Sequence, residues 1–372
     1  MQPLKVLQIF TILNRGGAET NLMNYYRKID KNKILFDFVV HRKEEGEYEK
    51  EIITLGGKIF HLPSLHPRNI NEYKFAVRNF FDENPGYQII HGQCSELGVF
   101  IYEEAKKRKI PVIIAHAHSS KMSFDAKAIF RLKWKLTMRK YINAYFTCGV
   151  AASKYLFGYK LACKTFQVNN AVDANSLMFN ENVRKVVQYE LDAVETFNVV
   201  HVGSFNKIKN HRFIIKIFGE IVKIIPNSKL FLVGEGVLKV EIMTLVSKLD
   251  LKSHVFFLGT RSDVSKLLQA MDLFLFPSLY EGLPLSLIEA QTSGIFCAIS
   301  NTIPAEAVLI PDNVKIYDLN HSAKFWAEEI IRESASFKRK DVTQVIKDAG
   351  YDINDNVAAL EEKYFELYNQ FS

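Results

Sequence analysis

The sequence predicts two doubly wound parallel-sheet α/β domains, on three observations. Short runs nearly continuous in apolar and β-branched residues alternate with longer helical stretches, as strands buried on both faces require. The alternation lapses at 174–197 and then starts again. The chain has 372 residues, 48% hydrophobic and 24% charged, which is the length and composition of two ordinary globular domains.

The strand-like runs of the first half are KVLQIFTIL 5–13, FDFVVH 36–41, KIFHLP 58–63, QIIHGQ 88–93, PVIIAHAH 111–118 and AYFTCG 144–149. Those of the second half are NVVHVGSF 198–205, KLFLVGEG 229–236, VFFLGT 255–260, LFLFPS 273–278, IFCAIS 295–300 and VKIYDL 314–319. Val357, Leu360, Tyr364, Leu367 and Tyr368 recur at helical spacing, so the chain is expected to finish in an amphipathic helix. We expect domains at 1–180 and 190–350, and a terminal helix over 351–372 that crosses back to the first domain.

No run approaches the roughly 20 apolar residues of a membrane-spanning helix. The N-terminus enters strand-like sequence without a signal-type cleavage site, so a cytoplasmic chain is expected. Cys94, Cys148, Cys163 and Cys297 lie far apart, which fits neither a disulfide framework nor a zinc site. A net charge of +7 favours anionic partners without choosing among them. Nucleic acid is disfavoured, because no recognised nucleic-acid motif surrounds the basic residues.

Two α/β domains imply a cleft, and ligands of such sheets bind beyond the carboxyl ends of the strands. Four stretches fall there. In NRGGAET 14–20, Gly16 and Gly17 precede a helix beginning near Ala18, whose free amides suit an anion; a tight turn explains the pair equally well. In VGSFNKIKNH 202–211, Lys207 and Lys209 are either solvated or placed to neutralise a diphosphate. In LYEGLPLSLIEAQTSG 279–294, Pro284 should open a helix, which leaves Glu281 in the loop and Glu289 on the helix. Carboxylates accept from adjacent hydroxyls, as on a sugar or ribose, although solvated or ion-paired glutamates are the plainer alternative. In AHAHSS 115–120, His116 and His118 share a face of the strand, facing a ligand or serving structure. No third ligand and no D-x-D suggest a metal.

Together these features resemble the retaining glycosyltransferases of family 4, which have the two-Rossmann GT-B fold. The resemblance runs from GGAE 16–19 to SLYEGLPLSLIEAQTSG 278–294 and looks most like the bacterial enzymes of capsular and exopolysaccharide assembly. It draws also on GVAASKYLFG 149–158, HVGSFNKIKNH 201–211 and LVGEG 232–236. Its specific part is two glutamates with seven residues between, matched by Glu281 and Glu289. The resemblance implies that Glu281 contacts the donor sugar and Glu289 the ribose, with Gly282, Leu283 and Pro284 completing the donor site. It places Gly16 and Gly17 against the diphosphate, Lys209 as the diphosphate-binding lysine, and the family's histidine at His118 in preference to His116. Two positions depart from the pattern. Ser204 stands where the family has arginine, which Lys207 or Arg212 would have to offset, and Ala171 replaces a glycine in NNAVD 169–173.

The implied reaction transfers a sugar from UDP-sugar or GDP-sugar to a glycan or lipid-linked glycan acceptor, with retention by front-face attack and with neither metal nor cofactor. Residues 129–142, IFRLKWKLTMRKYI, interleave cations with apolar side chains. They suit either an anionic membrane at the inner face of the plasma membrane or ordinary packing. Competing expectations are a sugar-nucleotide 2-epimerase of the same fold, which would act on the donor alone, and a non-catalytic sugar-nucleotide-binding subunit.

Overall fold

The computed structural model describes residues 2–118 and 128–372. The chain divides into two compact units, one of Met1–Ala171 with Ile353–Ser372, the other Val172–Asp352. The first is built on β1 (Leu4–Phe10), β2 (Ile34–Val40), β3 (Ile59–His61), β4 (Ile89–Gly92), β5 (Val112–Ala117), β6 (Ala144–Thr147) and β7 (Phe166–Gln167). All pair in parallel, in the order β3-β2-β1-β4-β5-β6-β7. Successive β1 side chains serve opposite faces of the sheet. Val6 and Phe10 pack with Leu22 and Tyr26 of the helix Gly17–Lys28, while Leu7 and Ile9 pack with Tyr73 and Tyr102. Both faces are covered, which is why the strand reads as one apolar run.

The second unit repeats the plan with β8 (Phe197–Val202), β9 (Ser228–Val233), β10 (Val255–Gly259), β11 (Leu273–Phe276), β12 (Phe296–Ser300) and β13 (Val314–Tyr317). Its parallel order is β10-β9-β8-β11-β12-β13. Val200 faces one core and Val199 the other, the latter with Ile214, Ile217 and Phe218 of the helix His211–Ile224. In each sheet the strand order reverses once, between β1 and β4 and between β8 and β11. The connections there leave in opposite directions and open a crevice at the carboxyl ends.

The expected boundaries at 180 and 190 need correction. The first unit ends at Ala171 because Val172 bridges Asp352 and its amide donates to the Tyr351 carbonyl at 2.9 Å. The stretch in which strand patterning lapses forms two helices, Ala174–Leu177 and Glu181–Glu190, that belong to the second unit. Leu177 and Val187 share a core with Leu267 and Leu268, Arg184 pairs with Asp272 at 2.7 Å, and Gln188 donates to the Ala270 carbonyl. The terminal helix spans Ile353–Phe371 and lies in the first unit, where Ile353, Val357, Leu360, Tyr364 and Leu367 join the β1 core.

Residues 128–138 form a helix, Ala128–Met138, anchored by buried Trp134 and Met138. Ile129, Phe130, Leu132 and Leu136 are exposed, as are Lys133 and Lys140. Lys135 instead turns inward to the Tyr155 carbonyl, its ammonium 3.9 Å from the Tyr155 ring centroid. Among the described residues no helix is long and apolar enough to cross a membrane.

Candidate functional site

In the second unit the loops after β8 and β11 are clasped by three consecutive residues. The Leu279 amide donates to the Ile208 carbonyl at 2.8 Å, Lys209 Nζ donates to Glu281 Oε1 at 2.6 Å, and Asn210 Nδ2 donates to the Pro277 carbonyl at 3.0 Å. Asn210 holds φ 55 and ψ 40, a left-handed conformation that asparagine tolerates well and that turns the loop into the helix His211–Ile224. The Lys209 and Glu281 side chains are only 16% and 12% exposed, and the ammonium sits 4.8 Å from the Phe276 ring centroid. A cation and an anion in such a setting are tolerated because each satisfies the other.

Gly203 makes room for that lysine, since a Cβ there would lie 3.2 Å from Lys209 Cδ and Cε. The loop after β9 closes over the same segment. Gly234, at φ +134, passes so close to the Gly203 carbonyl that a side chain would overlap it, and the Phe205 amide donates to the Glu235 carbonyl at 2.9 Å. Ser204 accepts from Asn206 Nδ2 at 2.7 Å, and Asn206 Oδ1 accepts from the Lys209 amide at 3.1 Å. Lys207 is exposed in this loop. Arg212 is drawn outward to Glu241, at 2.5 Å on the solvent face.

Pro284 is the N-cap of the helix Leu285–Thr292, so the helix begins one residue later than expected; with φ −74 and ψ 112 the proline is still extended. The amides of Leu285 and Ser286 therefore lie in the first helical turn, where intrahelical acceptors are lacking. Glu281 stays in the loop beside exposed Gly282 and half-buried Leu283. Glu289 is half-buried on the flank of a helix whose Leu287 and Ile288 are buried.

In the first unit Gly16 caps the helix Gly17–Lys28. A Cβ at Gly17 would meet nothing within 4 Å, and one at Gly16 would overlap the Glu19 carboxylate, the movable end of a flexible side chain. Neither glycine is demanded by the packing of a neighbouring side chain or backbone. Burial pushes the Glu19 carboxyl up to about 7, against a smaller lowering by a backbone hydrogen bond.

His118 Nε2 lies 2.6 Å from Gln93 Oε1, and its ring stacks on His116 at 4.0 Å. His116 Nδ1 lies 3.1 Å from His91 Nε2, and His91 Nδ1 lies 2.6 Å from the hydroxyl of Tyr364 on the terminal helix. Burial holds His118 down to about 4 and His91 to about 3, so both rings are neutral near pH 7. His116, buried with them, is likewise held well below the ordinary range. Ser119 and Ser120 lie outside the described residues. Gln8, His91 and Gln93 were not singled out by sequence reasoning, and Tyr364 was marked only for its helical spacing; the available signal was a histidine at the end of QIIHGQ, the same feature that marked His116.

Residues 189–336 match the family model described as glycosyl transferases group 1. A relative named as a glycosyltransferase, EpsF of Bacillus subtilis (strain 168), is 34% identical over 97% of this chain and 96% of its own length. The chain belongs to the group 1 glycosyltransferases. This glycosyltransferase is also similar to CapH of Staphylococcus aureus, named as a capsular polysaccharide biosynthesis glycosyltransferase, at 22% identity over 97% of the chain and 98% of the relative. Its fold is the GT-B fold. The solved structure of HepE from Anabaena in complex with UDP and glucose superposes with a TM-score of 0.78 at 16% identity, covering 98% of this chain and all of that one.

Glu19 gives the glycosyltransferase a measurable pH dependence. Its carboxyl binds a proton up to about pH 7 when folded and only to about 4.5 when unfolded. The stabilisation is therefore full below 4.5 and lost as pH rises through 7. Glu19→Gln is expected to remove this component, so the melting temperature of wild type relative to the variant should fall between pH 4.5 and 7. An offset independent of pH, in scanning fluorimetry of both proteins, would contradict it.

Proposed function

We propose that the protein is a retaining, family 4 hexosyltransferase that moves a sugar from UDP-sugar or GDP-sugar to a hydroxyl of a lipid-linked glycan during assembly of a cell-surface polysaccharide. The observation that carries this reading is the shielded Lys209–Glu281 pair at the carboxyl ends of β8 and β11, where the strand order reverses. Each member has a counterpart in a nucleotide sugar. The ammonium meets the diphosphate and the carboxylate meets sugar hydroxyls, so the donor replaces one pairing by two.

In the proposed reaction the bond from the anomeric carbon to the diphosphate oxygen breaks, and the acceptor oxygen bonds to the same face. The acceptor proton passes to the departing oxygen. Lys209 and the first amides of the helix Leu285–Thr292 stand where negative charge builds, and positioning supplies much of the remainder. Neither a protein nucleophile nor a metal enters this scheme. Glu289 binds the ribose, with Gly282, Leu283 and Pro284 lining the donor. Gly16 and Gly17 approach the diphosphate, and His118 stands beside the reacting sugar in preference to His116. With Ser204 in place of arginine and Arg212 held by Glu241, exposed Lys207 is the remaining cation of the loop. UDP in HepE and capsule assembly in the name of CapH support the substrate class.

Lys209→Ala and Glu281→Ala are each expected to lower donor turnover by about 10²-fold or more, the scale of removing a preorganised group from developing charge. Assayed on nucleotide sugars with a lipid-diphosphate glycan acceptor, folded variants that keep more than about a tenth of the wild-type rate would sink the reading.

The exposed Ile129, Phe130, Leu132 and Leu136 with Lys133 and Lys140 suit peripheral contact with the inner face of the plasma membrane, a placement we propose with the lipid-linked acceptor. Lys133→Glu with Lys140→Glu is expected to abolish sedimentation with anionic liposomes at low salt. Equal binding by variant and wild type would count against it.

A further inference from the structure

A chain of hydrogen bonds in the first unit runs from His118 through the terminal helix to His116, and the two end rings stack on each other at 4.0 Å. Gln8 Nε2 donates to the Tyr364 hydroxyl at 3.3 Å, and Gln93 Nε2 donates to Gln8 Oε1 at 2.9 Å. Gln93 Oε1 is then an acceptor, so His118 Nε2 at 2.6 Å carries the proton and donates it. Its Nδ1 is left as the lone-pair nitrogen. On the other arm the Tyr364 hydroxyl, already accepting from Gln8, gives its one proton to His91 Nδ1 at 2.6 Å. Neutral His91 therefore carries its own proton on Nε2 and donates it to His116 Nδ1 at 3.1 Å. His116 then holds its proton on Nε2, a buried nitrogen with no hydrogen-bond partner among the described residues. This nitrogen and Asn21 Oδ1, also unpartnered, belong to residues that line one small cavity with His118.

We propose that Tyr364 is a positioning residue for His118: by accepting from Gln8 and donating to His91 it sets the direction of both arms of the chain. His118 is thereby kept with a proton on Nε2 and a lone pair on Nδ1. A ring held this way accepts from a sugar hydroxyl instead of donating to one, which deepens the reading that places His118 at the reacting sugar and rests on it. The terminal helix becomes part of the site's chemistry, beyond closing the core. Directional networks of this kind act as units, so one hydroxyl can fix several tautomers.

Tyr364→Phe tests this, because it removes the hydroxyl and keeps the ring that stacks on Phe146 at 6.2 Å. The probe is long-range proton–nitrogen correlation on the full-length protein labelled with ¹⁵N-histidine, recorded at pH 7 without substrate. Wild type should show His91 and His118 as single Nε2–H tautomers. In the variant His91 should turn to Nδ1–H or a mixture, His118 should lose its single form, and kcat should fall about tenfold with the donor KM unchanged, below the full effect of an acid–base group. Gln93→Leu, which removes the acceptor directly, should reproduce the His118 change and shows whether the hydrogen-bond chain, not the helix, is at fault if Tyr364→Phe unfolds. Histidine spectra of Tyr364→Phe matching wild type overturn the proposal whatever the activity, and altered spectra with unaltered kcat overturn the positioning role. His118→Ala, assayed alongside, separates the two levels: full activity there removes His118 from the reaction, and the role of Tyr364 with it.

Discussion

The shielded ion pair of Lys209 and Glu281 is the interaction on which the second unit's site depends. At 2.6 Å, with both side chains mostly out of water and an aromatic ring beside the ammonium, neither charge tolerates losing the other without a replacement. In the proposed function a diphosphate and a set of sugar hydroxyls supply that replacement together. A phosphate alone satisfies the lysine and strands the carboxylate, so a pair of this kind discriminates between a nucleotide and a nucleotide sugar.

The backbone around the pair is arranged to keep it there. Ile208 and Asn210 hold the partner loop on either side of Lys209, and Gly203 leaves space for the lysine's methylenes. Gly234 brings the next loop against the Gly203 carbonyl with no intervening side chain. Three loops are thus braced at their main chains, two of the contacts running backbone to backbone, and this holds the pair close to the strand ends. Ser204 fits this arrangement as a short acceptor for Asn206, whose side chain caps the Lys209 amide.

The strands were legible because burial on both faces writes an apolar run that no neighbouring element imitates. The two glutamates were legible because proline separates loop from helix, with the start displaced from Pro284 to Leu285 since the proline is extended. The boundary at Ala171 was not legible: it rests on the pairing of Val172 with Asp352, a contact between distant residues that leaves no period in the sequence. The same holds for the histidine hydrogen-bond chain. His116 and His118 were visible at a strand end, but their partners come from positions 8, 91, 93 and 364, and only the sheet order and the return of the terminal helix bring them together. The direction of the Lys209 side chain, toward Glu281 instead of solvent, was likewise a property of the folded loops.

Calorimetric titration of wild type and Glu281→Gln with UDP, GDP and their hexose conjugates tests the central claim most directly. If Lys209 serves the diphosphate and Glu281 the sugar, the variant should bind the free nucleotide as well as wild type or better, since its lysine is released, while losing about tenfold or more toward the matching nucleotide sugar, on the order of 1.4 kcal/mol. Equal weakening toward nucleotide and nucleotide sugar would contradict the division of roles, and no change toward either would remove Glu281 from the donor site.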